Sequence, residues 1–491
     1  MSSNSRLPLF AVLFFVAIAA ILLLKPSEAV VVEAADASKN VTVKSESAAT
    51  TQQQAAPGTV IHTAKSGDTV PMLVRKYLWD SKYMTSSEFE AAIRQANPTV
   101  KGTFLKAGEN VVVPGIEPVQ SEKLISVPKD YEVRAIYLTG IMAASEKGIN
   151  IVRQWRKVGG NAVVFDIKDS DGWVNINFDH ELVPKGHKPP IKNLAKYTKF
   201  LHSMGMHAIA RIAIFRDEAI VVQHPELAVK SRRTGQPWQE NGKLVWTDVS
   251  NQKVQAYNIA LAKHAALSGV DEVQFDYVRF PAEGDQKDAK FAFETANPTW
   301  KRTDVITDFL KDAYAELHPT GVLFSLDVFG VMAWQRSVDL AHTGQDIPSM
   351  AKYCDVLSPM IYPSHFFGMD GYASPGDAPE HFIGTSMDRF RTITKDTNVV
   401  LRPWLQAFAW KTKTYSPEYI QVQVATSASK GGVGFLFWNA RNDYSKPYAA
   451  MPVMAKNQKF FRGDEYDRLP KPAAADPVTN TAQSKFHPSG P

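Results

Sequence analysis

The chain has 491 residues, enough for more than one domain, and its 44% hydrophobic and 21% charged content excludes a wholly disordered protein. A net charge of +5, without a Lys/Arg run, argues against nucleic acid as a partner, and a single cysteine, Cys354, excludes an intrachain disulfide. Cys354 lies among apolar neighbours and reads as a buried structural thiol.

Arg6, an apolar run from Leu7 to Leu24, and Lys25 open the chain in the manner of an export signal. The run suits either a single membrane anchor or a signal cleaved after Ala29; residues 1–29 are assigned to this element. Both readings predict an exported chain in the cell envelope, periplasmic or extracellular. Residues 30–58, rich in Ala, Ser, Thr, Val and Gln, read as a flexible linker.

Residues 59–115 predict a small β-α-α-β unit. Its parts are a strand over Val60–Lys65, the turn Ser66-Gly-Asp-Thr69, helices over Pro71–Leu78 and Ser86–Gln95, the turn Asn97-Pro98, and a strand over Asn110–Val113. Ser66-Gly-Asp-Thr69, Gln95-Ala-Asn-Pro98 and Leu105-Lys-Ala-Gly-Glu-Asn-Val-Val-Val-Pro114 together resemble a LysM domain. That family binds N-acetylglucosamine polymers, and the resemblance implies that Asp68, Thr69, Asn97 and Pro98 line the glycan groove. Pro71 and the long Trp79–Ser87 stretch depart from the family pattern.

From Tyr131 the rhythm becomes strand, helix, strand. Eight strands are predicted: Val133–Gly140, Asn161–Asp169, His207–Phe215, Glu272–Pro281, Leu323–Gly330, Val356–Pro363, Val399–Phe408 and Gly432–Arg441. Amphipathic segments lie between them, the clearest being Asp304–Leu317 with Val305, Phe309, Ala313 and Leu317 on one stripe. The pattern predicts a (β/α)8 TIM barrel over residues 131–456, preceded by the small βααβ domain. A doubly wound sheet would need a Gly-rich phosphate loop after its first strand, and none is present. The longest insertion, Arg216–Ser250, carries Trp238 and Trp246 and should sit on the face that bears the chemistry. Residues 457–491 read as a disordered tail.

Side chains alternate along a strand, so one parity enters the barrel. That parity gathers Asp166 and Lys168 on strand two, Gln274 and Asp276 on strand four, and Ser325 and Asp327 on strand five. Hydrolysis of a sugar bond needs a carboxylic acid at the leaving oxygen and a second carboxylate at the anomeric carbon or its water. Asp276 is the expected nucleophile or stabilising carboxylate and Asp327 the expected acid/base, with Asp166 the substitute for either. Asp166, Lys168, Arg211, Gln274, Arg279, Tyr362, Arg402, Trp404, Trp438 and Asn439 are candidates for substrate contact. Aromatic faces among them suit sugar C–H surfaces. The histidines are scattered, with no His-x-His or His-Glu-x-x-His pair, so neither a metal nor a cofactor is expected. No Gly-x-Ser-x-Gly elbow points to an α/β-hydrolase.

Val133-Arg-Ala-Ile-Tyr-Leu-Thr139, Asn161-Ala-Val-Val-Phe-Asp-Ile-Lys-Asp169, Asp271-Glu-Val-Gln-Phe-Asp-Tyr-Val-Arg-Phe-Pro281 and Ser358-Pro-Met-Ile-Tyr-Pro363 resemble a glycoside hydrolase family long catalogued as a domain of unknown function. That family is similar to the α-amylase and α-galactosidase superfamilies, whose nucleophile is an Asp ending strand four. The resemblance implies Asp276 for that role and a polysaccharide or peptidoglycan-type glycan as partner. A non-catalytic wall-binding protein with a degenerate barrel is the alternative.

Overall fold

The computed structural model describes residues 57–117 and 128–462. The expected anchor, most of the linker and the end of the tail lie outside the described residues.

Eight parallel strands close into a barrel. In chain order they are Val133–Leu138, Ala162–Lys168, His207–Ala213, Glu272–Asp276, Leu323–Phe329, Val356–Ile361, an interrupted seventh (Val400–Leu401 and Trp404–Gln406), and Gly434–Trp438. Each pairs with the next, and the eighth pairs with the first through Gly434 opposite Val133. Gly434 has φ +75°, and a Cβ there would lie 2.1 Å from the Val133 carbonyl, so closure of the barrel needs glycine. The seventh strand breaks at Arg402-Pro403, where proline has no N–H for the ladder.

The expected alternation places Val133, Ala135, Val164, Ile209 and Leu436 in the barrel interior, around Tyr137, Tyr362 and Trp404. The opposite parity, including Val163, Phe165, Phe275, Leu326 and Val328, packs under the helices. Helix Arg302–Leu317 buries the expected stripe and is capped by Asp304, whose carboxylate accepts from the Lys301 amide at 2.7 Å. Helix Gln252–Leu267 is capped by Asn251.

The fourth strand is shorter than expected. It ends at Asp276, because Tyr277 takes φ +54° and turns the chain away. The insertion after strand three folds back: Lys230–Ser231 pairs with Ala289–Lys290, and Trp238 and Trp246 are packed inside it. Past Lys456 the chain continues as a short helix, Lys459–Arg462, with Phe461 buried under the Arg134 guanidinium at 3.8 Å. The expected tail therefore starts later than residue 457, because Phe461 supplies an apolar anchor.

Residues 59–114 form an antiparallel strand pair, Thr59–Thr63 with Asn110–Pro114, and two helices, Val70–Tyr77 and Ser86–Ala96, with their own small core. Lys196 of the barrel donates to the carbonyls of Leu78 (2.5 Å) and Tyr83 (2.6 Å) in this unit. No helix among the described residues is long and apolar enough to cross a membrane.

Candidate active site

The carboxyl ends of strands two to five converge on Arg211. This strand-three residue faces inward, and its guanidinium meets three carboxylates. Nη1 lies 2.6 Å from Asp166 Oδ1, Nη2 contacts Asp276 Oδ2, and Nε is 3.5 Å from Asp327 Oδ2. The remaining oxygens are also held. The Tyr137 hydroxyl donates to Asp166 Oδ2 at 2.5 Å, the Tyr277 amide to Asp276 Oδ1 at 2.6 Å, and Trp404 Nε1 to Asp327 Oδ1 at 2.6 Å. The left-handed backbone at Tyr277 is what turns its amide onto Asp276; strain of order 1–3 kcal/mol is common at such positions.

One guanidinium cannot neutralise three carboxylates. Burial, and then the charge of Asp276, push the Asp327 carboxyl well above its ordinary range, opposed by Arg211 and the Trp404 bond. Burial also raises Asp166, opposed by Arg211 and the Tyr137 hydroxyl. Burial disfavours charge on Arg211, but Asp166 and Asp276 more than reverse it and hold it firmly protonated. Above this cluster, Tyr362, Phe408 and Trp438 form an aromatic wall with ring centroids 5.4–5.8 Å apart.

Residues 135–444 match the family described as "Putative glycosyl hydrolase domain". The chain belongs to that family. The matched stretch takes in strands two to eight and four of the six residues of strand one, with all four residues of the charged cluster. Among solved structures, the chain is similar to a hypothetical protein from Ruminiclostridium thermocellum ATCC 27405, at 35% identity over 39% of this chain and 97% of that one, TM-score 0.35. It is similar to the glycoside hydrolase domain of PgaB (BpsB) from Bordetella bronchiseptica, at 13% identity over 65% and 98%, TM-score 0.49. It is also similar to the endo-beta-1,4-mannanase from Thermotoga petrophila, at 12% identity over 69% and 78%, TM-score 0.45. None of the curated proteins compared matches the sequence.

Within this glycosyl hydrolase barrel, several residues expected at the mouth lie elsewhere. A bulge between Asp166 and Lys168 breaks the alternation of strand two. Lys168 is thereby turned outward, fully buried, 2.6 Å from Asp217 and 5.4 Å from the Tyr257 ring. Arg402 sits at the opposite end of the barrel, 2.6 Å from Glu272, which opens strand four. Gln274 faces inward one layer below Asp276 and donates to Ser358 Oγ at 3.3 Å. Asn439 is built into its loop, donating to the Ala407 carbonyl at 2.6 Å and accepting from the Arg441 amide at 2.8 Å. Arg279 is packed between the rings of Trp246 (4.8 Å) and Phe329 (4.4 Å).

In the N-terminal unit, Asn97 is buried and joins helix to strand, donating to Ile93 and Val112 carbonyls at 2.6 and 2.7 Å and accepting from the Val112 amide at 2.8 Å. It does not line a groove. Asp68 accepts from the Lys65 amide at 2.8 Å and faces His62 at 3.1 Å. Thr69 caps the first helix and Pro98 is exposed.

Two residues of the cluster's surroundings escaped sequence reasoning. Tyr137 was accessible to it, since inward parity on strand one reaches 133, 135 and 137. Asp169 was not, because an unbroken alternation turns it outward and nothing in the sequence marks the bulge. Among the described residues no group of His, Cys, Asp and Glu side chains is arranged to hold a metal ion.

Proposed function

We propose that this chain hydrolyses glycosidic bonds in a polysaccharide of the cell envelope, with Asp276 as the carboxylate that meets the anomeric centre. The observation that carries this reading is the fixing of both Asp276 oxygens, by Arg211 and by the Tyr277 amide, at the end of barrel strand four. Chemistry on this fold gathers at carboxyl strand ends, and a carboxylate is the group that an oxocarbenium-like centre requires. The aromatic wall of Tyr362, Phe408 and Trp438 offers apolar faces beside it. Asp327 completes the pair read from the sequence; its carboxyl is pushed well above its ordinary range, but it is only 1% exposed.

The N-terminal βααβ unit is proposed to hold the enzyme on N-acetylglucosamine-containing glycan, with Asp68, Thr69 and Pro98 at the groove. Such tethering raises the local concentration of cleavable bonds. Export through the Leu7–Leu24 segment, tethered or cleaved, would bring the two together. Retention of the full chain on insoluble peptidoglycan, and its loss in Asp68→Ala with Thr69→Ala, tests this part.

The deciding experiment for catalysis is release of reducing ends from a polysaccharide panel by the wild type and by Asp276→Asn. The variant is expected to lose about four orders of magnitude or more, the scale seen when a residue of covalent catalysis is removed. Equal activity would reject Asp276. The alternative of a non-catalytic glycan binder draws on the enclosure of Asp327 and Asp276; retention on glycan without any release of reducing ends by the wild type would favour it.

A further inference from the structure

Asp169 follows directly on the bulge that turns Lys168 outward. This residue is partly exposed at the end of strand two, close enough to Asp166 to feel its charge. Its Oδ1 accepts from the backbone amides of Asp171 (3.0 Å) and Trp173 (3.1 Å). Its Oδ2 has no hydrogen-bond partner among the described residues and is not sealed from solvent, whereas Oδ2 of Asp327 is.

The loop that carries Asp169 is pinned at two points. Gly172 rests on Asp217, the partner of Lys168; a Cβ at Gly172 would lie 2.0 Å from Asp217 Oδ1. Arg216 Nη1 donates to the Ser170 carbonyl at 2.6 Å, and its guanidinium lies 5.8 Å from the ring of Tyr277, the residue that follows Asp276. Arg216 thus ties the residue after Asp169 to the residue after Asp276. One carboxyl oxygen is fixed by two amides, and the other is free to present a proton.

We infer that Asp169 is the proton donor to the leaving sugar oxygen in the hydrolysis proposed above, an inference that rests on that reading. The proton on Oδ2 passes to the glycosidic oxygen as the C1–O bond breaks, and the departing sugar keeps the electron pair of that bond. C1 takes its new bond from Asp276, or from a water that Asp276 deprotonates. In the first case the water that later releases the sugar returns its proton to Asp169. Burial, with the charges of Asp166 and Asp171, raises the Asp169 carboxyl to about 7, so the proton is available near neutral pH. Asp327 is a poorer donor to substrate, since it is 1% exposed and its Oδ2 is sealed from solvent.

Asp169→Asn keeps the Oδ1 acceptor and so the loop. The test compares this variant with wild type on polysaccharide and on a panel of 2,4-dinitrophenyl α- and β-glycosides, whose leaving group departs without a proton. kcat/KM on polysaccharide should fall by about 10²–10⁴-fold, the range for general acid catalysis, while kcat/KM on the dinitrophenyl glycosides, which reports bond cleavage and not the later release by water, stays within about tenfold. Wild-type activity on polysaccharide should fall as pH rises through about 7, and this limb should be absent for dinitrophenyl glycosides, a measurement that needs no variant. Equal loss on both substrate classes, no loss on polysaccharide, or the same alkaline limb for both classes would overturn the assignment to Asp169 alone. Wild type inactive on every substrate would overturn the hydrolase reading and this inference with it. Full activity of Asp276→Asn beside the selective loss in Asp169→Asn would reject Asp276 and leave Asp169 standing.

Discussion

Trp404 on barrel strand seven donates its indole N–H to Asp327 Oδ1 on strand five across 2.6 Å, through the middle of the barrel. Asp327 is 1% exposed, and this bond is the hydrogen bond that its carboxyl receives there. Trp404→Phe keeps an aromatic ring of similar shape and removes the donor, leaving a buried oxygen without a partner. The expected loss is about 1–3 kcal/mol. It should appear in urea denaturation as a lower midpoint at an unchanged slope. An unchanged midpoint would mean that water replaces the indole.

Asp327→Asn makes a pH-dependent prediction. Burial and the charge of Asp276 raise the folded-state pKa of Asp327 well above its ordinary value. Its contribution to stability is therefore fully present below the unfolded pKa of about 3.9 and lost as pH rises toward the folded value. Asparagine does not titrate. The stability of Asp327→Asn relative to wild type should therefore improve between pH 4.5 and 7.5, by up to about 1.4 kcal/mol per pH unit. Parallel stability curves for the two proteins would refute the raised value.

Arg211 is the cation shared by Asp166, Asp276 and Asp327. Arg211→Met leaves these carboxylates buried without it, and removing one partner from a buried charged network typically costs about 3–5 kcal/mol. The loss should be larger at pH 8 than at pH 5, because burial already raises Asp166 and Asp327 and protonation at lower pH relieves them. Chemical denaturation at the two pH values measures this. A loss independent of pH would point to packing of the Arg211 stem instead.

Much of the barrel was legible because both signals that specify it are local. Alternation assigned the inward set on strands four and five, and the stripe of Val305, Phe309, Ala313 and Leu317 marked a helix. What remained hidden depends on register. The bulge beyond Asp166 moves Lys168 out of the mouth, yet no Gly or Pro marks it. Arg402 belongs to the correct strand, but whether a residue lies at the mouth or the floor follows from its distance along the strand. Its partner Glu272, the first residue of strand four, fixes it at the floor. The sequence marks Arg211 only as a candidate for substrate contact; that it joins carboxylates from three strands is a property of closure.

Lys168 and Asp217 form an ion pair with both side chains at 0% exposure. Lys168→Met leaves the Asp217 charge uncompensated and should destabilise by about 3–5 kcal/mol. Adding Asp217→Asn removes the stranded charge and keeps an oxygen for the Ile220 amide, which Asp217 Oδ1 caps at 2.9 Å. The double variant should recover much of the loss. A lysine that bound substrate would instead show a raised KM with stability intact, so urea denaturation read beside kinetics separates the two roles.

Arg402 makes the corresponding case at the floor of the barrel. Burial alone would raise Glu272, but the guanidinium of Arg402 and the bond to His207 more than reverse it, to about 2. A depressed carboxylate contributes stability that is present above its unfolded pKa and lost as pH falls through the folded value. The Glu272 contribution is therefore complete above about pH 4.3 and fades toward pH 2. Arg402→Met should cost about 3–5 kcal/mol at pH 7, since it strands a buried carboxylate. That difference from wild type should narrow as pH drops from 4.5 toward 3, where Glu272 can take a proton. Activity per folded molecule should hold, because Arg402 lies at the end of the barrel opposite Asp276. A fall in kcat/KM at unchanged stability would place Arg402 in contact with substrate and reverse this assignment.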